Sequence, residues 1–271
     1  TTNRHGEGVV IFGGWAGLAG VGASPNFPMG FIAPMQKSEA AGINTGIAIY
    51  AVDSGALTIP LSDEEGTLEI TLLDTNGTIL ATTSGLSTPR GHEALFVDEF
   101  DWGTTIDFSE FTGMLSVTST KPVTGTVIQT SPGEFATMPV ASMQTTETTG
   151  EKQLYFAQFA DGAGALASQI LLMNLSEEKT ATAQITLRDD DGAPLTVDLN
   201  GETVLGDKEI EIVASGLEVL KTDGVGDLVV GSVSVTSDQP LAGVIVFSGS
   251  AVGTAGVGSS AAYAKGFVAP M

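Results

Sequence analysis

Carboxylates are the commonest side chains of this sequence that could do chemistry. Two clusters, Asp63-Glu64-Glu65 and Asp98-Glu99-Phe100-Asp101, fall on predicted loops. Hard divalent cations take about six to eight oxygen ligands, which loop carboxylates can supply. The sequence therefore offers candidate calcium ligands, with solvated acidic loops as the alternative. These candidates are Asp63, Glu64, Glu65, Asp98, Glu99 and Asp101.

A third acidic run, Asp189-Asp190-Asp191-Gly192, looks like a calcium loop at first. An EF-hand loop alternates its acidic residues with other residues and ends in a bidentate glutamate. Here the aspartates are contiguous, and the next glutamate is Glu202. The run therefore predicts a turn, and a cation site is the weaker alternative.

The sequence lacks the groups that enzymes usually bring together. It contains two histidines, His5 and His92, and no cysteine. Zinc sites need clustered His or Cys ligands, and hydrolases of the Gly-x-Ser-x-Gly type need a nucleophile elbow that is missing here. We therefore expect a protein that is not an enzyme, with no cofactor apart from the candidate Ca²⁺.

The charge of the chain excludes several classes of partner. Asp and Glu number 32 against 10 Lys and Arg, a formal charge of −22. Such a chain repels nucleic acid and anionic membranes, and its apolar runs are too short for a membrane-spanning helix. Because the charge is spread along the chain, it predicts solubility in a salty or extracellular medium. We expect no nucleic-acid partner and no membrane insertion.

The apolar residues follow the period of β-strands. Leu68 to Leu73 alternates apolar and polar residues, and Asn76-Gly77 follows, which is a strong hairpin signal. The pattern returns in Ala183 to Arg188, followed by the acidic turn. Gly231 to Ser237 repeats Gly113 to Ser119 at an offset of 118 residues. A unit of about 118 residues therefore occurs twice.

Both ends of the chain carry the same motifs. Gly8-Val9-Val10-Ile11-Phe12 returns as Gly243 to Phe247, and Gly30-Phe31-Ile32-Ala33-Pro34-Met35 returns as Gly266 to Met271. The offsets of 235 and 236 residues are twice the unit. We therefore predict an all-β protein of two tandem antiparallel immunoglobulin-like β-sandwich domains. Residues 1–35 form a partial repeat, the strand and connector of a preceding or neighbouring unit. Residues 36–141 and 153–271 form the two sandwiches, and residues 142–152 form a linker.

These motifs resemble a tandem immunoglobulin-like β-sandwich repeat of long bacterial surface and secreted proteins. The resemblance lies in Asn44 to Ile49, Ile70 to Gly77 and Phe111 to Val117. The second unit fits less well, since Ala167-Ser168-Gln169-Ile170 stands where the first has Asn44-Thr45-Gly46-Ile47. The resemblance implies an extracellular module in a tandem array.

Together these patterns predict a structural subunit or segment of an extracellular or cell-surface array or filament. It would associate head-to-tail with itself, or with neighbouring repeats of its own chain, through β-strand pairing and end-to-end contacts. The assembly strand and connector are assigned to Val9, Val10, Ile11, Phe12, Trp15, Phe31 and Ile32. The alternative is an adhesin or carbohydrate-binding module that uses Trp15 or Trp102 on exposed loops.

Overall fold

The computed structural model describes residues 9–14, 17–22, 28–51, 67–87, 92–143, 151–164, 166–249 and 255–258. Within these ranges the protein is all-β, with several antiparallel sheets and no helix. The strands up to residue 142 are β1 (Val9–Gly14), β2 (Gly17–Gly22), β3 (Gly30–Ser38), β4 (Asn44–Ala51), β5 (Thr67–Asp74), β6 (Ile79–Ser87), β7 (His92–Phe96), β8 (Glu110–Ser119), β9 (Val123–Ser131), β10 (Glu134–Pro139) and β11 (Ala141–Ser142). The later strands are β12 (Glu151–Asp161), β13 (Ala167–Asn174), β14 (Ala181–Arg188), β15 (Thr196–Leu199), β16 (Glu202–Leu205), β17 (Asp207–Ile212), β18 (Leu217–Lys221), β19 (Val229–Ser248) and β20 (Ala255–Gly258).

The first half of the protein, residues 28–143, contains two antiparallel sheets. Sheet A has the order β10-β9-β4-β7, and sheet B has the order β11-β3-β8-β5-β6. In β5 the alternating sequence buries Leu68, Ile70 and Leu72 and exposes Glu69. Because successive side chains of a strand point to opposite faces, this pattern gives sheet B an apolar face toward the first core.

The second half, residues 151–258, repeats the same strand order in one curled sheet. Its strands run β17-β14-β19-β12 on one side and β18-β13-β19-β20 on the other. These orders match β6-β5-β8-β3 and β7-β4-β9-β10 of the first half. The 20-residue strand β19 takes the place of both β8 and β9, and this makes the seven-stranded sheet a half-barrel.

The two halves share a buried apolar layer. Leu73 and Met114 lie on the face of sheet B opposite to Leu72 and Leu115, as strand alternation requires. Both are nevertheless buried, in the same cluster as Met173 and Val244 of the second half. Neighbours of those two, such as Leu172 and Ile245, point into the separate core of the second half. The outer face of sheet B therefore packs on the β13 and β19 side of the second half.

The β5–β6 turn fixes the two halves to each other by backbone contacts. The amide of Leu217 donates to the carbonyl of Thr75 at 2.9 Å. Gly77 has a φ of +75°, and a Cβ atom at this position would lie 2.4 Å from the carbonyl oxygen of Ala214. Only glycine combines this conformation with such a close approach. The turn therefore serves as an interlock between the halves.

The predicted boundary at residue 35 crosses a strand. Residues 30–38 form β3, in which Phe31 and Ile32 pair with Val117 and Ser116 of β8. Phe31 is fully buried, so both residues belong to the first half and not to a connector from a preceding unit. The linker predicted at 142–152 likewise overlaps strand ends, because Ser142 pairs with Phe31 and β12 begins at Glu151.

The interlock predicts different effects for two similar glycines. Gly77→Ala and Gly192→Ala both place a side chain at positive φ, which costs about 1–2 kcal/mol. Gly192 has open space around its Cβ position, whereas Gly77 faces the carbonyl of Ala214. We therefore expect Gly77→Ala to lower the free energy of unfolding, measured in urea, by at least about 1 kcal/mol more than Gly192→Ala. Equal losses would contradict the interlock.

Candidate assembly interface

The described carboxylates of the acidic clusters are engaged in local contacts. Asp98 forms an ion pair with Lys37 and accepts a hydrogen bond from the side-chain amide of Asn44 at 3.1 Å. Glu99 accepts from the amide of Phe96 at 2.8 Å, and Asp101 accepts from the amide of Gly103 at 3.1 Å. The structure thus gives each carboxylate a separate partner.

Partial burial alone would raise the pKa of Asp98, but the hydrogen bonds from Lys37 and Asn44 outweigh it, and the pKa lies below its usual value. No group of three or more His, Cys, Asp or Glu side chains that could hold a metal ion occurs in the described ranges. Asp63, Glu64 and Glu65 lie outside those ranges.

The turn predicted at Asp189-Asp190-Asp191-Gly192 is confirmed. The carboxylate of Asp189 accepts from the amides of Asp191 and Ala193 at 3.0 and 2.7 Å. Gly192 has a φ of +81°, and its amide donates to the carbonyl of Asp189 at 3.0 Å. The first aspartate therefore caps its own turn, as Asp and Asn often do.

Of the remaining residues singled out in the sequence, the structure describes His92 and Trp102. His92 is exposed at the first position of β7. Trp102 is buried in the first core, where its indole donates to the carbonyl of Val97 at 2.9 Å and packs on Phe100. A tryptophan in this position has no free face for a sugar. His5 and Trp15 lie outside the described residues.

A cavity of about 390 Å³ opens where the two halves meet. It is lined by Asn76 of the first half and by Asn200, Glu218 and Lys221 of the second. Burial raises the pKa of Glu218, and the charge of Lys208 offsets part of this rise. The amide of Asn200 is already bound to the carbonyl of Val219 at 2.9 Å. No hydrogen bond is seen between the hydroxyl and carboxylate groups of the described lining, and we assign no chemistry to the cavity.

The N-terminal hairpin has a strand edge of defined register. In β1 and β2, Gly14 pairs with Gly17, and only two residues separate them. A connection this short requires the pair to exchange both backbone hydrogen bonds. By alternation, the peptide groups of Val9, Ile11 and Gly13 then point away from β2. These three residues form what we call the free edge of β1, since no described strand other than β2 pairs with β1.

The same hairpin occurs twice more, and there the corresponding edge is paired. In β9–β10 the last pair before the turn is Ser131 and Glu134, which corresponds to Gly14 and Gly17. Ile128 lies three residues before Ser131, as Ile11 lies three residues before Gly14, so the two are equivalent. Ile128 pairs with Gly46 of β4. In the second half Val246 takes this place and pairs with Gln169 of β13. The free edge of β1 thus corresponds to the edge that pairs with β4 or β13 in the two other copies.

Successive hairpins also lie side by side. Strand β10 lies next to both β2 and β20. A Cβ atom at Gly256 of β20 would lie 2.6 Å from the carbonyl oxygen of Thr137, and one at Gly258 would lie 2.5 Å from the ring of Pro139. Strand β2 has the same Ala-Gly-Val-Gly sequence, with Gly20 and Gly22 at the matching positions. Glycines two apart in a strand are a usable signal for close backbone approach.

The Asp98 contacts predict an acid-dependent loss of stability. Because the folded-state pKa of Asp98 is lowered, its contribution is present above the unfolded pKa of about 3.9 and is lost as pH falls through the folded value. Asp98→Asn should lower the free energy of unfolding at pH 7 by up to about 1 kcal/mol, as for a partly exposed ion pair. In strong acid, where Asp98 is protonated, the variant and the unmodified protein should have the same free energy of unfolding. Asp227→Asn, at an exposed position between β18 and β19, is the matched control. A difference between Asp98→Asn and the unmodified protein that persists in strong acid would refute the assignment.

No helix in the described ranges is both long and apolar enough to cross a membrane. The chain matches no protein-family model and no curated protein. Among solved structures it is similar to an anti-sigma factor domain-containing protein at 6% identity and a TM-score of 0.19, over 83% of this chain and 81% of that one. A structure of infectious bursal disease virus, Gx strain, gives 8% identity and a TM-score of 0.14, over 93% of this chain and 78% of that one. We base no argument on similarities this low.

Proposed function

We propose that the protein is a non-enzymatic structural subunit or segment of an extracellular or cell-surface array or filament. In this proposal its units are tandem immunoglobulin-like β-sandwiches of about 118 residues, joined by β-strand pairing and end-to-end contacts. The observation that carries the proposal is the free edge of β1. Two copies of the same edge, in β9 and β19, each join a sandwich strand.

An open strand edge is a ready template for another strand. Its unpaired amides and carbonyls give affinity through main-chain hydrogen bonds, which any strand of suitable register can supply. The natural partner of β1 is a strand that corresponds to β4 or β13. Within the described residues those two strands already pair with β9 and β19. The proposal therefore assigns the partner strand to another unit of the same kind.

The repeated contact between hairpins supports end-to-end stacking. Strand β10 adjoins β2 of the hairpin before it and β20 of the hairpin after it. A contact between the second strands of neighbouring hairpins thus occurs twice along the chain. A relation that repeats without closing on itself produces a linear array.

The composition fits the proposed setting. A charge of −22 disfavours nucleic acid as a partner, and the absence of cysteine makes the fold independent of redox conditions. The extracellular location rests on this composition and on the resemblance to bacterial surface repeats. The adhesin alternative finds no support in Trp102, which is buried.

The proposal predicts that self-association depends on the free edge. Ile11→Pro removes an amide that points away from β2, so it should block strand addition and leave the β1–β2 hydrogen bonds in place. We expect the unmodified chain to form species above 27.6 kDa in sedimentation and linear particles in electron micrographs. Ile11→Pro should shift the population to the single-chain mass.

Ile11→Val is the matched control, because it keeps the amide and should assemble normally. An unmodified chain that sediments as a single copy at every concentration would refute assembly. Equal assembly of the proline and valine variants would show that the free edge of β1 is not used.

A further inference from the structure

Two turns of this protein have the same construction. In the first half the carboxylate of Asp74 accepts from the amides of Asn76 and Thr78, both at 2.8 Å. In the second half Asp189 accepts in the same way from Asp191 and Ala193. The backbone bonds also match, since the amides of Gly77 and Gly192 each donate to the carbonyl of the leading aspartate. The turn from Asp189 to Ala193, here called the acidic turn, is therefore a geometric copy of the turn from Asp74 to Thr78.

Within the described residues, only the first of these turns contacts a distant part of the chain. Thr75 accepts the amide of Leu217, and Gly77 lies against the carbonyls of Ala214 and Ser215. In the acidic turn, Gly192 has no heavy atom within 4 Å of its Cβ position. Asp190 is exposed, as are Asp191 and Gly192. The acidic turn thus has the same shape as the docked turn of the first half, but no described residue outside its own hairpin receives it.

One part of the receiving surface of the first turn, the pair of strands β13 and β18, has a described copy in β4 and β7. Leu217 is the first residue of β18 and pairs with Met173 of β13. His92 is the first residue of β7 and pairs with Tyr50 of β4 in the same way. Tyr50 is 40% exposed, and His92 is exposed. This pair marks an outer face of β4 and β7 that corresponds to the face on which the first turn docks.

We propose that the acidic turn of one copy docks beside His92 and Tyr50 on the outer face of β4 and β7 in a second copy of this chain. Asp190 takes the role of Thr75, and His92 takes the role of Leu217. The inference rests on the proposed self-assembly and names the surfaces that meet. Each copy presents one acidic turn and one receiving face, so the contact is head-to-tail and does not close in a pair.

Charge supports the acidic turn of a second copy as the element that docks on this face. The acidic turn carries three consecutive aspartates, in a chain with 10 Lys and Arg and 2 His in all. One of those histidines begins the receiving strand, and in sequence Arg90 stands two residues before it. At this face the acidic turn meets a histidine rather than another carboxylate, which favours one orientation of the two copies. Most other parts of so acidic a surface would repel the turn.

The proposed contact is more polar than the contact inside the chain. Tyr50, His92 and Ala94 stand where the second half has Met173, Leu217 and Val219. Contacts between separable partners are typically more polar than permanent ones, which resemble a divided core. The docking should therefore be reversible and should weaken with added salt, because exposed charges are screened.

The absence of cysteine permits a direct test by disulfide trapping. In the contact inside the chain, the amide of Leu217 donates to the carbonyl of Thr75 at 2.9 Å. The same contact between copies would bring the Cα atoms of Asp190 and His92 near the range of about 4.4–6.8 Å that a disulfide spans. Full-length Asp190→Cys is mixed with full-length His92→Cys, each with a tag of different length, and oxidised gently. We expect the mixed dimer to form at least about tenfold faster than with Glu178→Cys, an exposed acidic residue elsewhere in the second half, in place of Asp190→Cys.

A second measurement tests the same contact without cysteine. Asp190→Arg should weaken self-association, measured by sedimentation, by at least about tenfold, whereas Glu178→Arg carries the same charge change and should have little effect. Suppose that the unmodified chain associates, but that variants at Asp190 and at Glu178 give equal rates of disulfide trapping and equal self-association. This result would overturn the docking alone. A chain that does not self-associate at all would overturn the proposed function together with the docking.

Discussion

The structure depends on one apolar layer that lies between the two halves. A sheet that faces solvent on one side alternates apolar and polar residues. Strand β3 does not, because both of its faces are buried from Gly30 to Gln36. Strand β13 is similar, since Leu171 and Met173 face the first half while Ile170 and Leu172 face the core of the second. Each fully buried side chain of this kind contributes about 1.5–3 kcal/mol. Separating the halves would therefore expose a continuous apolar surface, and the two form one body.

The local parts of this arrangement were predictable from sequence, and the long-range parts were not. The alternation of Leu68 to Leu73 and the glycine of each turn depend on residues close in sequence, so strands and hairpins could be assigned. The sequence of Phe31 to Met35 does not indicate its partner strand β8, and the predicted boundary at residue 35 therefore divides β3. For the same reason the ion pair of Asp98 could not be foreseen, because Lys37 lies 61 residues away.

Polarity distinguishes the contact inside the chain from the surfaces proposed to join copies. The inner contact combines Leu73 and Met114 with Met173 and Val244. At the position of Met114, the second half has Ser232, which is exposed, and at the position of Leu73 it has Arg188. The outer face of β14 and β19 in the second half is thus polar, although its strand order is the same as that of sheet B. Association through such ends draws on backbone edges and charge more than on apolar burial, and this favours reversible joining over collapse.

An open strand edge and a high charge of one sign have opposite effects on assembly. A free edge such as that of β1 can pair with almost any exposed strand, which makes it a source of aggregation in most proteins. The charge of −22 opposes close approach between copies. Salt screens charges that are more than a Debye length of about 8–10 Å apart, so the repulsion between nearer charges remains. Pairing is then favoured only where many hydrogen bonds form at once in one register. The pairing of β9 with β4 and of β19 with β13 shows the register in which a partner strand would fit. An acidic surface can thus select the intended neighbour by weakening all others.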